Sequence, residues 1–229
     1  MKPEEKIILA LDFDNFESAR DLVDKLDAAC FFKVGLQAYL QFGDPLIKLL
    51  QERNKRLFLD LKFKDIPNTV HGAVSSALKY EPDFLTIHLS GAGEMIRKAV
   101  EAAAPRPSLS VLGVTILTSL SDQDLQDTGM ALSTKEAVLK LVGLGLDNGL
   151  DSFVCSPLEI APIREKYGDK PVLVTPGIRP EWSVKGDQKR VFTPRMAVDA
   201  GSNYLVIGRP VTKADNPAEA FDRILQEIT

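Results

Sequence analysis

The sequence predicts a (β/α)8 TIM barrel built as a single domain over residues 1–229, and three observations predict it. Short apolar or β-branched runs alternate with amphipathic stretches along the whole chain. Eight such runs occur within 229 residues, close to the ~250 typical of that barrel. No linker or low-complexity stretch breaks the alternation, and no Gly-x-Gly-x-x-Gly follows the first run as a doubly wound dinucleotide-binding sheet would require; Gly91-Ala-Gly93 is too short.

Taken in order, Ile7–Phe13 reads as the first strand, and Phe16–Leu26 carries apolar residues at helical spacing. Phe31–Leu36 is the second strand, followed by a helix near Asp44–Asn54 with Pro45 suited to its first turn. Arg56–Phe63 is the third, with a helix from about Asn68 to Tyr80. Phe84–Leu89 precedes a helix over Glu94–Ala104, and Leu109–Leu117 is a long apolar strand before a polar loop. Ser133-Thr-Lys-Glu136 is a capping box that opens a helix through Leu146. Ser152–Cys155, Pro171–Thr175 and Tyr204–Ile207 complete the strands. Pro157–Lys166 is helical, and Asn216-Pro-Ala-Glu219 caps a last helix to Ile228.

The chemistry gathers in Arg56–Val70. Leu59, Leu61 and Phe63 alternate with Asp60, Lys62 and Lys64, so the charges share one strand face, with Asp60 and Lys62 roughly 6.6 to 7 Å apart along it. Asp65 follows where Ile66-Pro67-Asn68 ends the strand, giving an acid–ammonium–acid row. Such a row is ordinary on a solvated face. A parallel strand, however, has both faces covered, and a covered ammonium between carboxylates keeps its charge. Lys62 then reads as a held proton donor rather than a base or Schiff-base nucleophile.

Composition narrows the remaining classes. With 45% hydrophobic and 26% charged residues the chain can bury a sizeable core, and a net charge of −4 argues against nucleic-acid or anionic-membrane partners. Cys30 and Cys155 lie in separate apolar segments without metal-ligand spacing and read as reduced, buried thiols; His71 and His88 read as structural, and no metal site is expected. The opening MKPEEKIILALDF carries acids and only a short apolar run, so neither a signal peptide nor a membrane span is expected and a cytoplasmic protein is.

Other candidate residues sit at strand ends. Asp12 ends the first strand, Lys33 lies in the second, Asp60 and Lys62 end the third, and Thr118-Ser119 end the fifth. In a barrel these ends converge on the face that carries the active site. Ile178–Thr193, longer than the usual βα loop and rich in charge, reads as a lid, with Arg179 or Gln188 able to reach a phosphate. Ile207-Gly208-Arg209-Pro210 follows the eighth strand, where barrels often bind phosphate; the glycine admits close backbone approach and Arg209 offers a planar donor fork.

These segments together resemble the orotidine 5'-monophosphate decarboxylases. The resemblance runs from ALD at residues 10–12, FKVG at 32–35 and DLKFKDIPNTV at 60–70 through VTILTS at 114–119 and VCSP at 154–157 to TPGIRP at 175–180, GDQKRV at 186–191 and IGRPVT at 207–212. It implies that Lys62 protonates carbon six of the pyrimidine as carbon dioxide leaves, with Asp60 beside the departing carboxylate and Lys33 completing the charge row and touching the ribose. It implies further that Asp65 and Thr69 are lent to a neighbouring subunit's site, hence a homodimer. Asp12 would bind ribose hydroxyls and Thr118 the edge of the base; Arg179, Gln188, Gly208 and Arg209 would hold the phosphate. No metal or organic cofactor is implied. Asp-x-Lys-x-x-Asp alone is shared with barrel lyases and synthases of sugar phosphates, some of which hold magnesium where this chain has Lys33. That reading and a non-catalytic nucleotide-binding barrel remain the alternatives.

Overall fold

The apolar runs pair edge to edge in chain order into one closed barrel, β1 through β8, every neighbouring pair parallel and β8 returning to β1. The computed structural model describes residues 1–183 and 192–229. The strands are β1 (Ile7–Ala10), β2 (Phe31–Gly35), β3 (Arg56–Phe63), β4 (Phe84–His88), β5 (Ser110–Val114), β6 (Ser152–Val154), β7 (Val172–Thr175) and β8 (Tyr204–Ile207). Helices α1 (Phe16–Lys25), α2 (Leu36–Glu52), α3 (Pro67–Ala77), α4 (Ala92–Ala103), α5 (Asp122–Asp127), α6 (Thr134–Asp147), α7 (Ile160–Tyr167), α8 (Pro194–Asp199), α9 (Arg209–Thr212) and α10 (Pro217–Ile228) alternate with them. Among the described residues no helix is long and apolar enough to cross a membrane.

Strand parity divides the core in two. Odd positions of β1 (Ile7, Leu9) join the large outer cluster packed under the helices, whereas Ile8 and Ala10 join a smaller inner cluster with Phe31, Phe58, Phe84, Leu112, Val174 and Val206. The inner cluster is an aromatic floor. Phe84 lies 5.0 Å from Phe31, 5.8 Å from Phe58 and 5.0 Å from Tyr204 between ring centroids, mostly edge to face, and the Arg56 guanidinium stacks 4.1 Å from the Phe31 centroid. Above this floor, toward the C-terminal end of the barrel, the inward positions of β2, β3 and β4 carry polar side chains.

Side-chain caps set several helix starts. Asn15 accepts from the Ser18 amide at 2.8 Å before α1, Ser133 and Glu136 form the expected capping box of α6, and Asn216 caps α10 with Pro217 in its first turn. The helix expected from Asp44 is present, but residues 36–42 are helical as well. Gly43 joins the two parts at φ +51°, a conformation glycine adopts without steric cost, and the Tyr80 hydroxyl donates to Asp44 at 2.5 Å just beyond the kink.

Other boundaries differ from the expected ones. β1 stops at Ala10 rather than Phe13, although the Leu11 amide still donates to the Lys33 carbonyl at 3.0 Å before the chain leaves the sheet. β5 stops at Val114 rather than Leu117, where Thr115 turns both its amide and its hydroxyl to the Val154 carbonyl. The stretch read as a polar loop holds α5, opened by a Ser121–Asp124 capping box and too short to show apolar periodicity. α8 and α9 escaped the reading for the same reason. Cys155 is fully buried with its thiol pushed up to about 12 by burial and the nearby Glu159 carboxylate; Cys30 is only half-buried, and both are free thiols.

Candidate functional site

Because Phe31, Phe58 and Phe84 face inward at the floor, the residues two places on along each strand face inward above it. On β2 that residue is Lys33, on β3 Asp60 and on β4 Thr86, so a lysine, an acid and a hydroxyl meet at the mouth of the barrel.

Asp60 is the centre of this group, with its side chain 10% exposed. Its Oδ1 accepts from Lys62 Nζ at 2.8 Å and from Thr86 Oγ1 at 3.0 Å, while Oδ2 lies 3.4 Å from Lys33 Nζ. Lys33 in turn lies 3.7 Å from Asp12 Oδ1. Burial alone would raise the Asp60 pKa; the Lys33 and Lys62 ammoniums, with the hydrogen bonds from Lys62 and Thr86, reverse that and hold the carboxyl below its ordinary range. The site thus carries an ionised acid between ammoniums, and among the described residues no buried side-chain nitrogen or oxygen lacks a hydrogen-bond partner. A fixed positive group of this kind can stabilise negative charge developing beside it and supply a proton to it.

The local geometry differs from the regular alternation expected. Leu59 pairs with Leu85 and Phe63 with Ile87, so β3 takes four steps where β4 takes two, and Lys62 sits in the resulting bulge at φ +51°. The bulge turns Lys62 back toward Asp60. Lys64 and Asp65 are exposed beyond it, and Asp65 accepts from the Ile66 amide at 2.7 Å. The row within one chain is therefore Lys33–Asp60–Lys62, and Asp65 does not complete it, because the strand ends at Phe63 and the turn directs its carboxylate to the backbone. Thr69 lies exposed on the first turns of α3.

Other predicted residues ring the mouth. Asp12 is exposed just past β1. Thr118 lies in the loop after β5 rather than at the strand's end, and it lines a cleft of about 370 Å³ with Leu120, Ser121, Ser156 and Glu159, none of them in the charged row. Burial raises the Glu159 pKa. β7 and β8 are neighbours, so the chain leaves them side by side: Arg179 follows β7, its amide donating to the Phe192 carbonyl at 3.1 Å, and Gly208 leads into α9, whose first residue Arg209 is exposed. Gln188 and the middle half of the expected lid, residues 184–191, lie outside the described residues.

At the mouth stand also Thr86, which went unassigned in the sequence, and His88, which was read as structural. Thr86 is fully buried against Asp60, and His88, two positions on, reaches the rim half-buried; burial and the Lys64 and Lys62 charges hold its pKa below the ordinary value, which favours the neutral ring. The signal was the inward parity of Phe84, Thr86 and His88. It becomes informative only when β4 is aligned beside β3. Among the described residues no group of three or more His, Cys, Asp or Glu side chains is placed to hold a metal ion.

Comparison with known proteins gives a consistent picture. A family model described as "Orotidine 5'-phosphate decarboxylase / HUMPS family" matches residues 5–224. The orotidine 5'-phosphate decarboxylase of Gloeothece citriformis is 43% identical over 227 residues, covering 98% of this chain and 97% of that one. The enzyme of the same name from Pasteurella multocida is 46% identical over 222 residues, covering 96% and 95%. The crystal structure of orotidine 5'-phosphate decarboxylase from Lactobacillus acidophilus superposes with a TM-score of 0.86 at 36% identity, covering 97% of this chain and 98% of that one.

Proposed function

The chain belongs to the orotidine 5'-phosphate decarboxylase / HUMPS family, and from that premise we propose that it converts orotidine 5'-monophosphate to UMP and carbon dioxide without a cofactor, the last step of de novo pyrimidine nucleotide synthesis. The observation that carries the reading is the partly buried Lys33–Asp60–Lys62 row over an aromatic floor at the mouth of the barrel.

The reaction begins when the bond between carbon six and its carboxylate breaks and leaves its electron pair on carbon six. That carbanion has no obvious electron sink, so a positive group already in place beside it lowers the barrier most. Lys62 supplies the group and then the atom: an ammonium hydrogen passes to carbon six, and the neutral amine left behind is reprotonated from water. Asp60 holds the ammonium by its 2.8 Å hydrogen bond and lies beside the departing carboxylate. Lys33, near both Asp60 and Asp12, meets the ribose, and Asp12 binds its hydroxyls.

The remaining roles follow the family likeness. Thr118 meets the edge of the base, while Arg179, Gln188, Gly208 and Arg209 hold the phosphate. Contacts to a phosphate remote from carbon six supply binding energy that orders the charged row around the substrate. Asp65 and Thr69, both exposed, serve the site of a second copy in a homodimer. Leu40 (82% exposed) and Ile66 (67% exposed), at the starts of helices that leave neighbouring strands, supply apolar surface for such a contact. Cytoplasmic residence and the absence of nucleic-acid or membrane partners belong to the same reading.

The test is the loss of orotidine 5'-monophosphate absorbance by the purified protein, run with and without a chelator. Turnover to UMP that is indifferent to the chelator supports the reading. Activity that vanishes on chelation and returns with magnesium, or nucleotide binding without carbon dioxide release, would refute it.

A further inference from the structure

The bulge that turns Lys62 toward Asp60 leaves a backbone amide without its ladder partner. Between the Leu59–Leu85 and Phe63–Ile87 pairs β3 runs out of register with β4, and Lys62 adopts φ +51°, a left-handed conformation uncommon for a residue with a side chain. A buried N–H in that position needs an acceptor. It finds the Thr86 hydroxyl at 2.9 Å. A hydroxyl has one proton to give, and this one donates it to Asp60 Oδ1 at 3.0 Å, the same oxygen that accepts the Lys62 ammonium at 2.8 Å. Lys62 amide, Thr86 hydroxyl, Asp60 carboxylate and Lys62 ammonium therefore form a closed ring. Thr86 itself is 0% exposed and stands directly above the Phe84 floor.

We propose that Thr86 is a positioning residue for the reaction, its hydroxyl tying the bulged backbone of Lys62 to the Asp60 carboxylate so that the ammonium is fixed in direction as well as in charge. This rests on the decarboxylase reading for its catalytic consequence but not for its structural content. Among the described residues no other side chain bonds both the Lys62 backbone and the Asp60 carboxylate: the Lys62 ammonium reaches only Asp60 Oδ1, and Lys33 approaches the other carboxylate oxygen, at 3.4 Å. Valine is the closest shape without a hydroxyl, and it would strand the amide and remove a donor from Asp60 together. Serine keeps both bonds and loses only a methyl group.

The experiment compares Thr86→Val and Thr86→Ser with the unmodified chain in two measurements. Steady-state kinetics on orotidine 5'-monophosphate should show Thr86→Val losing roughly 10²-fold in kcat, the scale of an ångström-level misplacement, with KM changed by no more than a few-fold, and Thr86→Ser recovering most of kcat. Hydrogen exchange at the Lys62 amide should be at least about tenfold faster in Thr86→Val than in either hydroxyl-bearing chain. Should Thr86→Val fail to fold, Thr86→Ala, which leaves room for a water, carries the same comparison. Turnover by the hydroxyl-free variant within a few-fold of the original, or equal losses in the Val and Ser variants, overturns the proposal. If the unmodified protein does not act on this nucleotide the decarboxylase reading fails, while unchanged exchange at the Lys62 amide would sink the Thr86 assignment by itself.

Discussion

Lys62 hydrogen-bonds through its ammonium to Asp60, the residue two positions before it, at 2.8 Å. In a regular strand, residues two apart stand roughly 6.6 to 7 Å from each other along the chain, and contact depends on how their side chains lean. Here the contact follows from the left-handed backbone of Lys62, which shortens β3 against β4 and folds the ammonium back over the acid. The charged row is thus a property of the bulge as much as of the residues in it.

The second ammonium of the row depends on a glycine. A Cβ placed on Gly35 would come within 2.8 Å of Lys33 Nζ and 3.6 Å of Asp12 Oδ1. Since the atom met is the free end of a flexible side chain, Gly35→Ala should fold normally while displacing the Lys33 ammonium. We expect kcat/KM to fall by about ten- to a hundredfold with an unchanged melting temperature. Unaltered kinetics would show that Lys33 does not need its present position.

Asp60 links the site to acid stability. Its folded pKa lies below the unfolded one, first against burial and then because of Lys33 and Lys62. The stability it contributes is therefore fully present above the ordinary carboxylate range and is lost as pH falls through the folded value. Asp60→Asn should leave two ammoniums facing a neutral amide, cost about 3 kcal/mol at pH 7, and flatten the loss of stability below about pH 4. Urea titrations at a series of pH values read both effects. An identical acid slope in the variant would contradict the assignment.

The floor sets the height of the row. Phe84 touches Phe31, Phe58 and Tyr204 by ring contacts and lies two residues before Thr86. Phe84→Ala should cost about 3–5 kcal/mol in urea unfolding and also lower activity through the loosened strand. Loss of stability with full activity would show that the row is held from above, by the loops alone.

Asp65 belongs to no row in its own chain. If it completes the site of a second copy, Asp65→Ala and Lys62→Ala proteins are each nearly inactive alone, and mixing them should restore activity in the heterodimer that carries one intact site. Absence of recovery after demonstrated subunit exchange would count against shared sites.

The barrel was legible because a period of two inside strands and a helical period between them leave a regular trace in the sequence. Asp12, Lys33, Asp60 and Lys62 at its mouth were legible for the same reason, since each lies in or just past a strand-like run. Strand limits were less so: β5 ends four residues after it begins although apolar residues continue to Leu117, since Thr115 is drawn to the Val154 carbonyl of a strand 39 positions away. The Lys62 bulge and the role of Thr86 were hidden because a positive φ at a lysine is decided by the neighbouring strand, not by local preference. Asp65 looked like part of the row by proximity in sequence, and the turn after Phe63 separated it.

The central claim is that the Lys62 ammonium gives its proton to carbon six. The most direct measurement is the rate of carbon dioxide release from orotidine 5'-monophosphate by Lys62→Ala, alongside its circular dichroism and its affinity for UMP. A folded variant that still binds UMP and has lost at least about 10²- to 10⁴-fold in turnover is the predicted result; a folded variant that decarboxylates near the original rate would contradict it.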